Sequence, residues 1–185
     1  MENYKLKKDE ILKEAGQLLK QGTSKQETFE ILVGKYKSSK AVSDVLKNLP
    51  SLQAAKKYGF WNYTLFVLLL FSALFFAMHK PTFIIYVWYG LLMYVVARMA
   101  VKYYIYVALL SVITLITLAV LMITTDKFQI NWVEIGIICI DAALTLFLSI
   151  WLERKLSPKP KEVKELYTDS QGEQKLRVKY EFADV

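Results

Sequence analysis

The sequence predicts an all-α polytopic membrane protein with four transmembrane helices, a small N-terminal cytoplasmic helical domain and a C-terminal β-hairpin-like tail. Three observations carry that expectation. Of 185 residues 55% are hydrophobic and the mean hydropathy is +0.28, more than a soluble domain of this size ordinarily hides in one core. Charge is uneven: residues 1–57 hold 12 Lys/Arg and 7 Asp/Glu, residues 58–152 only 4 and 3, and residues 153–185 hold 8 and 7. The apolar block between the charged ends divides into four runs, 59–78, 81–101, 104–124 and 130–152. Each is close to the ~20 residues that cross a hydrocarbon core about 30 Å thick. These features exclude a single soluble enzyme core, a disordered chain and a disulfide scaffold, because Cys139 is the one cysteine.

The first domain, residues 1–57, reads as a set of short helices with net charge +5 and without the early apolar stretch of a secretory signal. Ile11, Leu12, Ala15, Leu18 and Leu19 recur at helical spacing and stop at Gly22. Ser24 and Glu27 have the spacing of a capping box and open a second helix carrying Phe29, Leu32 and Tyr36. Ser38 or Ser39 caps a third, with Ala41, Val42, Val45, Leu46 and Leu49 on its apolar positions, ended by Pro50. Ser51 then starts a helix that continues through Lys56 and Lys57 into the first span.

The second domain, residues 58–152, holds the spans. The second run is interrupted by Arg98, so Arg98 and Lys102 must snorkel if it crosses; a re-entrant or interfacial segment is the alternative. Four crossings put 22 basic residues on one side and only Lys80 and Lys127 on the other. The positive-inside rule then makes both termini cytoplasmic. Trp61, Tyr63, Trp88, Tyr89, Tyr103, Tyr104, Tyr106, Trp132 and Trp151 fall near span ends, as interfacial anchors or packing residues. Lys outnumbers Arg 21 to 3, a bias of AT-rich bacterial genomes, so the expected location is a bacterial cytoplasmic membrane.

In the third domain, residues 153–185, Pro158 and Pro160 break the last helix. Residues 163–168 and 175–182 flank a turn-like tetrad, 169–172. Leu176, Val178, Tyr180 and Phe182 alternate with Arg177, Lys179 and Glu181, the two-residue period of a half-buried strand. Two strands alone are marginal in water, so this apolar face is an interaction candidate that needs the head, a neighbouring subunit or another protein.

No catalytic motif, phosphate loop or metal-spaced cluster occurs, so neither cofactor, metal nor small-molecule substrate is expected. His79 reads as an interfacial residue and Cys139 as a small packing residue. The polar positions inside the spans are the candidates for function. Glu134 and Asp141 lie seven residues apart, within ~20° on one helix face, and Thr145 and Ser149 continue it. Thr114, with Ser111 and Thr117, makes a polar arc on the third span, and Ser72 adds a hydroxyl on the first. Asp141 lies near the midplane, where an ionised carboxylate costs several kcal/mol. It is either interhelical glue or part of an ion or proton path.

The expected function is that of a non-enzymatic multi-pass protein, an oligomeric docking, scaffold or sensing module at the cytoplasmic face, partnered by the bilayer and by its own copies or another membrane protein. The alternatives are a small ion or proton channel or transporter using the acidic stripe, and a membrane-tethered DNA-binding regulator. The third is disfavoured because the would-be reading helix offers only Lys40 and Lys47, with Asp44 between them, and no Arg precedes Arg98.

Overall fold

The structure is a computed structural model that describes residues 2–79, 83–124, 132–168 and 174–183. Among the described residues seven α-helices precede an antiparallel pair of strands: α1 Glu2–Lys20, α2 Lys25–Tyr36, α3 Ser39–Leu46, α4 Leu52–His79, α5 Phe83–Ala97, α6 Tyr104–Thr124, α7 Trp132–Leu156, β1 Lys161–Thr168 and β2 Gln174–Glu181. The expected outer loops at Lys80 and Lys127, the Pro81 helix start and the 169–172 turn lie outside the described residues, as do the side chains of His79 and Trp132. The chain divides into two compact units, unit 1 from residues 1–56 with 155–185 and unit 2 from residues 57–154. The head and tail, read from sequence as separate domains, therefore belong to one unit.

In unit 1 the short helices begin and end where local chemistry satisfies their terminal backbone groups. Gly22, at φ 94°, takes the left-handed position after α1; its N–H bonds Leu19 carbonyl and the Thr23 N–H bonds Leu18 carbonyl, each at 3.2 Å. Ser24 caps α2 through the Glu27 N–H while the Glu27 carboxylate accepts from the Ser24 N–H, both at 3.1 Å. Ser38 caps α3 and Ser51 caps α4 in the same sense. The three helices bury Ile11, Ala15, Leu19, Phe29, Leu32, Val42, Val45 and Leu46 in one core, and Phe182 completes it.

The tail is held there by specific contacts. The Phe182 ring lies 5.4 Å from that of Phe29, and the Tyr180 ring 6.1 Å from it. The Phe182 N–H donates to Gln26 Oε1 at 3.0 Å. Ser157, just past α7, accepts from the buried Lys25 ammonium at 3.0 Å and donates to the Lys47 carbonyl. Residues more than a hundred positions apart in sequence thus close one small domain.

Among the described residues three helices are long and apolar enough to cross a membrane, within Leu52–Met78, Val101–Val120 and Val133–Leu156. Four helices of that length were expected, and α5 is the one that falls short. The α5 helix has 15 residues, about 22 Å at ~1.5 Å per residue, short of the ~30 Å core. Its run was expected to reach Val101, but it ends at Ala97. Met99 adopts φ 49°, its N–H bonds Val96 carbonyl and the Ala100 N–H bonds Val95 carbonyl, each at 3.0 Å. That pair of bonds is a Schellman closure, which turns the chain beside Arg98 and leads through a 3-10 turn at Val101–Tyr103 into α6.

Candidate functional site

The buried positions of unit 2 recur every three or four residues: Tyr58, Asn62, Leu65, Leu69 and Ser72 on α4; Tyr89, Leu92 and Val96 on α5; Ser111, Thr114 and Leu118 on α6; Ile138, Asp141, Thr145, Leu148 and Leu152 on α7. The opposite faces carry exposed Phe60, Leu74, Trp88, Ile113 and Phe147. The buried polar side chains lie among buried Leu, Ile and Val, and the outward faces are large and apolar, the order demanded by a hydrocarbon solvent.

Two polar layers link the helices. In the first, Asn62 of α4 donates from Nδ2 to the Val96 carbonyl at the C-terminal end of α5, 2.9 Å away, and accepts at Oδ1 from the Tyr104 hydroxyl of α6. Asn62 is 5% exposed and Tyr104 0%, so neither has water as a substitute partner. One amide thereby holds three helices and the α5 to α6 turn.

In the second layer the Ser72 hydroxyl of α4 donates to Asp141 Oδ2 on α7. The Tyr89 phenol of α5 borders the same small cavity as the Ser72 and Thr114 hydroxyls. On α6, Ser111 donates to the Val107 carbonyl at 3.1 Å and Thr114 to the Leu110 carbonyl at 3.0 Å. Ser72, Tyr89, Ser111 and Thr114, with Leu69, Leu110, Ala142 and Thr145, line a cavity of about 10 Å³. Asp141 Oδ1 and Thr145 Oγ1 are buried and have no hydrogen-bond partner among the described residues.

Of the span residues expected to act together, Asp141, Thr145 and Thr114 meet at this layer. Ser149 is buried but donates to the Leu146 carbonyl of its own helix at 2.9 Å, and Glu134 is half-buried near the start of α7. Thr117 instead faces an apolar groove of about 210 Å³ with Phe76 and Trp88. Asn62, Tyr89 and Tyr104 were not singled out from sequence as polar partners. Asn62 had a readable sign, since it is the one amide inside the run 59–78. The two tyrosines had none, because a Tyr near a span end suits an interfacial anchor equally well.

The tail candidates divide. Tyr180 and Phe182 pack on the unit 1 core, whereas Leu176 is 68% exposed and Val178 37%. Leu166, paired across the sheet with Leu176, is 69% exposed. Among the described residues no group of three or more His, Cys, Asp or Glu side chains is placed to hold a metal ion. No protein-family model matches this chain, and no curated protein and no solved structure matches it.

Proposed function

We propose that this chain is a non-enzymatic membrane scaffold whose two ends co-fold into one cytoplasmic module and whose copies associate through the tail sheet. The co-folding of the two ends carries the reading. Unit 1 contains chain from before α4 and from after α7, closed by Phe182 on Phe29 and by Ser157 on Lys25 and Lys47. Both ends of the membrane block then leave and re-enter on one side, which requires an even number of crossings. Three helices have spanning length, so the short α5 supplies the fourth crossing. A span about 8 Å shorter than the core is accommodated by local thinning and by snorkelling of Arg98 and Lys102. The basic asymmetry assigns that shared side to the cytoplasm.

Charge on β1 supports self-association. Among the described residues the strand pairs with β2 along one edge only, and its sequence Lys161-Glu162-Val163-Lys164-Glu165 is charge-antisymmetric about Val163. Antiparallel pairing of two β1 strands about Val163 sets Lys161 against Glu165 and Glu162 against Lys164, in both halves of a two-fold interface. A single cysteine placed at Val163 in a Cys139→Ala background should form a disulfide-linked dimer under mild oxidation in membranes. Glu162→Lys with Glu165→Lys should abolish it, and adding Lys161→Glu with Lys164→Glu should restore it. A crosslink indifferent to these charges would overturn the pairing. For the threading, cysteines at 80 and 127 should react with an impermeant thiol reagent in intact cells and one at 100 should not; labelling at 100 would overturn the even count.

A further inference from the structure

The end of unit 2 where α4 begins and α7 finishes carries a cluster that the two polar layers leave unused. The Trp61 and Trp151 rings meet at 5.8 Å, and the Tyr58 ring meets that of Trp151 edge-on at 5.4 Å. These contacts, with Ser72 on Asp141 further along, make the two helices antiparallel. Lys57 precedes Trp61 by four residues and Arg154 follows Trp151 by three, so each indole has a cation about one turn nearer the same end. The Lys57 ammonium lies over the Tyr58 ring, 5.6 Å from its centre, which ties it to the aromatic group. Both cations are exposed and, among the described residues, neither forms an ion pair. α4 contains no Asp or Glu, and Glu153 on α7 is half-buried and lies about 200° round the helix from Trp151.

We propose that Lys57 and Arg154, above the paired rings of Trp61 and Trp151, form a binding site for the headgroup of one anionic phospholipid. Chemistry and position select the ligand. A guanidinium fork together with an ammonium suits a phosphate. Basic residues at the ends of spanning helices, beside a belt of aromatic rings, stand at headgroup depth. Away from that end, Phe147, Leu144 and Ile140 continue from Trp151 at steps of three to four residues and are exposed, a track for an acyl chain. A free phosphate would use the cations and leave that track idle. Because α4 and α7 each contribute one cation, the bound lipid bridges the first span to the last. The threading proposed above puts the site in the cytoplasmic leaflet, where anionic lipids concentrate, and the clamp itself is the same in either leaflet.

The test uses the full chain purified in mild detergent, with phosphatidylglycerol or phosphatidylcholine added and bound lipid counted by native mass spectrometry. One phosphatidylglycerol should be retained at concentrations that leave phosphatidylcholine unbound. Lys57→Gln and Arg154→Gln should each lower that affinity about tenfold, the loss expected for one charge-assisted contact. Arg154→Lys, which keeps the charge without the fork, should lose less. Lys8→Gln with Lys13→Gln, which removes two charges from exposed positions of α1, should leave binding unchanged. Equal retention of the two lipids would overturn the site. An equal loss in the α1 variant would overturn it as well and leave diffuse attraction to a basic protein. Inorganic phosphate that displaces the lipid at comparable concentration would overturn the lipid as the ligand and leave a free anion in its place.

Discussion

Unit 1 hides Ile11, Leu32, Val42 and Leu46 and leaves Glu30, Lys40 and Lys47 exposed, whereas unit 2 hides Asn62, Ser72, Asp141 and Thr145 and leaves Phe60, Leu74, Ile113 and Phe147 exposed. The same helical period of three to four residues organises both, so periodicity alone does not say which face is inside. The solvent decides. In water the drive is removal of apolar surface; in hydrocarbon that drive between helices vanishes, and close packing with interhelical hydrogen bonds remains. The two units should therefore respond oppositely to the same substitutions.

Aromatic truncation separates them most widely. Phe29→Ala removes a ring 7% exposed that touches both Tyr180 and Phe182, and should destabilise unit 1 by about 3–5 kcal/mol. The same change at Phe71, 43% exposed in unit 2, should cost less than about 0.5 kcal/mol. Hydrogen exchange checks both: amides of α2 and β2 should lose protection together in Phe29→Ala. Protection lost in α2 but kept in β2 would show that the tail does not depend on the head.

A polar substitution should reverse the ranking. Asn62→Leu strips the Val96 carbonyl and the Tyr104 hydroxyl of their shared partner, at an expected cost of about 0.6–2 kcal/mol. Tyr104→Phe in the Asn62→Leu background should then add little, because the pair acts as a unit. Ser149→Ala, which breaks only a bond within its own helix, should be close to neutral. Reversible unfolding in detergent measures all three, and additive losses at Asn62 and Tyr104 would break the picture of one amide holding three helices.

What could be read in advance follows from range. Ser24 with Glu27, Gly22 after Leu19, and the alternation from Leu176 to Phe182 are local patterns, and each marks an element where the structure has one. The stripe of Asp141 and Thr145 was legible as helical spacing, but the wheel also placed Ser149 and Glu134 on it. It could not show that Ser149 would satisfy itself at Leu146. The early end of α5 was opaque because the left-handed position fell to Met99, a residue type that carries no turn preference. The clasp of Lys25 on Ser157 and the seat of Phe182 were opaque for a different reason. They join segments separated by the whole membrane block, and no period within either segment encodes its partner.

The smallest expected effect lies on the surface of unit 1, where charge pairs meet water rather than lipid. The Lys35 ammonium donates to both Glu14 oxygens at 2.8 Å and the Tyr36 hydroxyl to one at 2.9 Å, joining α1 to α2. Hydrogen bonds from Lys35, then from Tyr36, hold the Glu14 carboxyl below its ordinary 4.5. The bond to Glu14 raises the Lys35 ammonium above its ordinary 10.5. A carboxyl with a depressed folded value contributes stability above its unfolded value and loses it as pH falls through the folded one. An ammonium with a raised folded value contributes below its unfolded value and loses it as pH rises through the folded one. The bridge therefore acts across the window from 4.5 to 10.5 and fades outside it. Both groups are in contact with solvent, so salt screens the pair and the effect is small. Denaturant titration of Glu14→Gln against wild type should show a small loss at pH 7. The loss should shrink as the pH is taken below 4.5 and shrink again in high salt. A gap that persists unchanged in acid would mean that Glu14 joins α1 to α2 by packing of its side chain, as a core residue does, and not by its charge.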